Sequence, residues 1–111
     1  MNDQPNPKRV GPAEAPSRTV GDTRIDVINW GRNDGFGQNG GILRAVNTNT
    51  HATLWTIKVY SITYDPALES DVQDIFITSL RKAWFGNKLL ITDDHGQKYS
   101  VDLATRAVSG E

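Results

Sequence analysis

Ala45-Val46-Asn47-Thr48-Asn49-Thr50-His51-Ala52-Thr53-Leu54-Trp55-Thr56-Ile57-Lys58-Val59-Tyr60 is the stretch on which the fold class turns. Two runs rich in β-branched and apolar residues flank a polar segment, Asn47 to Thr50, whose side chains suit a turn. In the second run Trp55, Ile57 and Val59 share one face by the two-residue period of a strand. Farther along, Tyr60, Ile62 and Tyr64 form the bulky set on the opposite face. A strand over 52–64 whose apolar face switches near Tyr60 needs a bulge there, or a bend from one sheet layer into another.

Upstream, 24–30 is β-branched and aromatic enough for a first strand. Between it and the strand beginning at Ile42 runs a loop, 31–41, with five glycines: Gly31, Gly35, Gly37, Gly40 and Gly41. Downstream, Asp65-Pro66 ends the long strand. The stretch that follows carries competing signals. Ser70-x-x-Gln73 matches a capping box and Gly86 a helix stop, which argues for a single helix within 70–85. Ile75-Phe76-Ile77-Thr78 is a β-forming run. A hairpin follows, with strands over 88–92 and 97–103 around the turn Asp93-Asp94-His95-Gly96. That hairpin offers a pairing partner and favours a strand over 74–82. A short last strand is expected near Ala107-Val108. The expected fold is therefore mainly β: a small antiparallel meander forming a sandwich or open barrel over 23–111.

Residues 1–22 hold four of the five prolines and almost no large apolar side chain. Such a segment cannot bury enough surface to offset its ordering entropy, so a disordered, Pro-rich tail is expected.

Twelve basic residues against 13 acidic ones leave a formal net charge of -1. That balance provides no overall electrostatic footprint for nucleic acid, and none is expected as a partner. The absence of cysteine excludes disulfides, thiolate zinc sites and a catalytic thiol. No apolar run approaches the ~20 residues that span a bilayer as a helix. The N-terminus lacks the pattern of a signal peptide. Two compartments stay open: the cytoplasm, or the periplasm or exterior after removal of a signal peptide.

Gly35-Phe36-Gly37-Gln38-Asn39-Gly40 fits G-x-G-x-x-G, but a dinucleotide site needs a helix to follow, and Ile42 begins a strand. Asp93, Asp94 and His95 are adjacent in a tight turn, and three neighbours in sequence cannot all converge on one ion. The acidic run Asp65, Glu69, Asp71, Asp74 lacks the spacing of a calcium loop. Neither histidine lies in the context of a serine-hydrolase motif. No catalytic, metal-binding or cofactor-binding set is expected. Of the three tryptophans, Trp55 aligns with core positions, whereas Trp30 beside the glycine-rich loop and Trp84 at a strand or helix end are candidates for partial exposure.

Ala45-x-Asn47-x-x-Thr50-His51-x-x-x-Trp55 resembles the Ala-x-Asp-x-x-Thr-Gly-x-x-x-Trp repeat of quinoprotein-like β-propeller blades, and Asp102-x-x-Thr105-Arg106 resembles part of it again. Asn47 stands where the repeat has Asp, and His51 and Arg106 where it has Gly. The resemblance is confined to 45–55 and 101–106 and implies shared strand-and-turn structure. It carries over no cofactor-binding residue.

The functional expectation is a non-enzymatic interaction module that contacts a partner through the loop 31–41, using Trp30, Asn33, Phe36, Gln38, Asn39 and Trp84. The partner would be a protein or a small ligand. Two alternatives belong to other classes: a small ligand-binding or enzymatic domain with the loop as a lid, and a homodimer formed through an exposed edge strand.

Overall fold

In the computed structural model, which describes residues 15–84 and 86–110, the chain forms two four-stranded antiparallel sheets. The first contains β1 (Ser17–Val20), β2 (Thr23–Ile28), β3 (Ile42–Asn47) and β4 (Thr53–Lys58); the second contains β5 (Ile77–Lys82), β6 (Lys88–Asp93), β7 (Lys98–Asp102) and β8 (Val108–Gly110). Each sheet is a simple meander in which every strand pairs with its neighbour in sequence. The sheets pack as a small sandwich and do not close into a barrel.

Alternation builds the interface between the sheets. In the first sheet Ile25 pairs with Ala45 and Val27 with Leu43, which places all four on one face. In the second, Leu89 pairs with Val101, and Leu80 and Tyr99 both flank Ile91. The aliphatic residues among these, with Val59 and Ile77, form one buried cluster against which Trp55, Ile57, Tyr60, Tyr99 and Leu103 pack. Each fully buried aliphatic side chain contributes about 1.5–3 kcal/mol. Asn29 adds a polar rivet: its Nδ2 donates to the Ile77 carbonyl at 3.3 Å and its Oδ1 accepts from the Ile77 N–H at 3.2 Å. A buried amide pairing both backbone groups of one residue mimics a strand partner at the point where β5 begins. It also fixes orientation: the Ile28 end of the first sheet lies beside the Ile77 end of the second.

Several expected boundaries move. Ser17–Val20, placed in the tail, form the edge strand β1, which pairs with β2 and lies against β5. The rest of the expected tail, 1–14, lies outside the described residues. β4 ends at Lys58 and does not continue to Tyr64. The apolar face changes because the chain leaves the first sheet there and crosses to the second over 59–76, so Tyr60 and Tyr64 are free of the strand alternation. The first sheet's register shift lies instead between Ala45 and Val46, opposite the extra residue Leu54; a second separates Ile77 from Ser79. Within 70–85 the only helical turn among the described residues is a 3-10 turn, Ser70–Gln73. Its Gln73 makes no capping box. The side chain reaches back, donating to the carbonyls of Asp65 and Glu69 at 3.1 Å and accepting from the Asp65 N–H at 2.7 Å.

The two sequence echoes form the same turn. Asn47 Oδ1 accepts from the N–H groups of Asn49 and Thr50 at 2.8 and 2.9 Å; Asp102 Oδ1 accepts from those of Ala104 and Thr105 at 2.8 and 3.0 Å. His51 and Arg106 then adopt left-handed backbone, with φ of 63° and 65°. The Thr48 and Leu103 N–H groups donate to the carbonyls of Asp22 and Asn87, each in the loop before the second strand of its sheet.

Candidate functional site

The glycine-rich loop starts at a 3-10 turn, Gly31–Asp34, and returns to the sheet at Ile42. It is clasped onto the crossover segment. Gln38, only 2% exposed, donates through Nε2 to the carbonyls of Gly40 and Tyr60, both at 2.9 Å, and accepts at Oε1 from the Ile62 N–H at 2.9 Å. Asn39 forms a second clasp. Its N–H donates to Tyr64 Oη at 3.2 Å, its Nδ2 donates to Asp74 Oδ2 at 3.1 Å, and its Oδ1 accepts from the Arg32 N–H at 3.1 Å. Tyr64 Oη donates to the other oxygen of buried Asp74 at 2.7 Å, and the Arg32 guanidinium lies 4.6 Å above the Tyr64 ring. Burial, chiefly, raises the Tyr64 pKa above its ordinary value, and the Asp74 carboxylate adds to that. A neutral, donating phenol is therefore part of the clasp.

Of the six expected contact residues, five lie at this end of the sandwich. Trp30 is 51% exposed and rests on Phe76 with ring centroids 5.0 Å apart. Phe36 is half-buried and lies over Gly31. Gln38 and Asn39 are the clasp, so their polar atoms are committed inside the chain. Asn33 occupies the third position of the first 3-10 turn. Trp84, 89% exposed, stands apart: it belongs to the β5–β6 loop, beside Lys82, at the opposite end. Arg32, Tyr60, Tyr64, Phe76 and Asp74 were not legible as site residues, because their partners lie far along the chain. The one local hint was the bulky set Tyr60, Ile62, Tyr64 lying off the core face of its strand.

Two further polar centres serve the fold. Asp93 is buried, accepting at Oδ1 from the His95 and Gln97 N–H groups at 2.8 and 3.0 Å and at Oδ2 from Tyr99 Oη at 2.9 Å. Burial first, then the hydrogen bond and charge of Asp93, push the Tyr99 pKa up to about 12. The Tyr99 ring stacks on Tyr60 at 5.1 Å, and burial holds the Tyr60 hydroxyl protonated as well while it donates to the Ile75 carbonyl at 2.6 Å. Among the described residues no group of three or more His, Asp or Glu side chains is placed to hold a metal ion. At the end away from the loop, a cleft of about 220 Å³ opens between the sheets, lined by Val20, Thr23, Ile25, Trp55, Asn87 and Leu103. The glycine-rich loop does not cover it.

No protein-family model, curated protein or solved structure matches the chain. Among the described residues no helix is long and apolar enough to cross a membrane.

Proposed function

We propose that the protein is a non-enzymatic interaction module that grips a protein partner at the clasped-loop end, with Trp30 as the anchor. The observation that supports this reading is that Trp30 presents half its surface to solvent while everything holding it is fixed. Asn29 before it is pinned to Ile77, Phe76 supports its ring, and the loop after it is tied down by Gln38 and Asn39. An anchor that is already rigid loses little entropy on binding, and tryptophan in such a setting tends to dominate interface energies. Phe36 and Arg32 beside it supply residue types enriched at protein interfaces.

Affinity capture with the wild-type chain and with Trp30→Ala, Phe36→Ala and Trp84→Ala tests the assignment, with melting temperature as a check on folding. Trp30→Ala should weaken retention of the captured partner by roughly thirtyfold or more, as expected for a hot spot. Trp84→Ala, at the far end, should leave retention unchanged. Full retention by Trp30→Ala overturns the reading.

A second reading is small-ligand binding in the 220 Å³ cleft, supported by the Trp55 ring and the Thr23 and Asn87 side chains that line it. A ligand specific to the native state raises the melting temperature. A screen of nucleotides, sugars and divalent metals that leaves it unmoved counts against this reading.

A further inference from the structure

The two sheets stack front to back. Matching the twin turns sets Thr23 and Asn47 on Lys88 and Asp102, the paired positions beside each turn. The register then carries Ile25 onto Leu90, Ala45 onto Ser100, and Leu43 onto Lys98. In the first sheet this face is buried against the second sheet. In the second sheet the equivalent face is turned away from the core residues Leu89, Ile91 and Val101, with Lys98 exposed, Leu90 partly buried and Ser100 buried. The outward face of the second sheet is thus the counterpart of the surface with which the first sheet takes up a neighbour.

We propose that this face is a docking surface for an acidic segment of a partner protein. A groove of about 450 Å³ runs along it, lined by Ser79, Arg81, Leu90, Thr92 and Lys98 together with Ile91 and Tyr99, whose side chains turn to the core face. Arg81, Lys88 and Lys98 are exposed, and the Arg81 and Lys98 side chains make no hydrogen bond or ion pair among the described residues. The acid on the same face, Asp102, has Oδ1 committed to the Ala104 and Thr105 N–H groups. Cations flanking a shallow groove with hydroxyl donors at Ser79 and Thr92 match carboxylate side chains on an extended segment.

Charge decides against two other occupants. A second copy would offer either this same face, with Arg81, Lys88 and Lys98, or the outward face of its first sheet, which carries Arg24, Arg44 and Lys58 against the single acid Asp26, already paired with Arg24 at 2.9 Å. Like charges oppose either stacking. Single-stranded nucleic acid needs exposed aromatic platforms, and the Tyr99 ring is stacked on Tyr60.

Amide chemical-shift mapping of the full chain against a deca-glutamate peptide tests the proposal, with deca-glutamine and a short oligothymidine as comparison probes. Shifts should be confined to β5, β6 and β7. Binding should weaken by about tenfold or more at high salt and in the Arg81→Glu/Lys98→Glu variant, as expected for exposed charge pairing. Lys58→Glu, on the first sheet, should bind like wild type. Absence of shifts with deca-glutamate, shifts spread over both sheets, equal loss in Lys58→Glu, or tighter binding of oligothymidine on the same face would each overturn it.

Discussion

At Gly40 there is no room for a side chain. A Cβ there would lie 1.8 Å from the Ile75 carbonyl oxygen, and φ is 100°. Gly35 has a similar φ of 87° but open space around it. The two positions separate steric exclusion from conformational cost. Gly35→Ala should cost about 1–2 kcal/mol, the left-handed penalty alone. Gly40→Ala should cost at least about 3 kcal/mol or prevent folding, because the loop must pull off the crossover segment. Urea unfolding of the two variants measures the difference. Tyr99 makes a pH-dependent contribution. Its folded pKa is raised from 10.0 to about 12, so the unfolded chain gives up the phenolic proton first. The stabilisation is complete below pH 10 and is lost as pH rises toward 12. Tyr99→Phe should cost about 1–2 kcal/mol at neutral pH, since Asp93 Oδ2 loses its donor. Its stability should fall less steeply than that of the wild type over that alkaline window, as read from urea midpoints.

Among elements, the twin turns show what local chemistry can encode. An amide oxygen at Asn47 and a carboxylate oxygen at Asp102 act alike, since each accepts two N–H groups and lets a non-glycine residue adopt left-handed backbone. The N–H groups of Thr105 and Ala104 lower the Asp102 pKa below 3.8. Its contribution is therefore present above that value and disappears as pH falls through the lowered one. Asp102→Asn should leave neutral stability nearly unchanged and remove this component of the acid transition; a pH series of melting temperatures reads both. Asn47→Ala, which deletes the acceptor, should cost about 1 kcal/mol at any pH. The strands around these turns were readable because alternation, β-branching and turn residues agree there. β1 was not, since Ser17-Arg18-Thr19 offers no apolar face and is held by pairing with β2. The clasp was illegible for a different reason. Gln38 finds its partners 22 and 24 residues away and Asn39 finds Asp74 after 35, and no local pattern specifies such distances. The same limit hid the exposed wall of the second sheet, whose meaning depends on knowing which way the sheet faces.

For the whole molecule, connectivity is strictly local within each half, and the halves are joined by one covalent crossing, 59–76. Among the described residues every strand-to-strand hydrogen bond stays on its own side of that crossing. The union between the sides consists of side-chain packing, the Asn29 rivet and the loop clasp. A chain so divided is a natural split protein. Separately produced fragments 1–66 and 67–111, cut in the exposed loop beside Pro66, should each remain incomplete and regain the sandwich on mixing. Recovery of the native near-ultraviolet spectrum only in the mixture would reveal a protein that can be switched on by whatever brings two polypeptides together, so that its halves could serve as reporters of proximity.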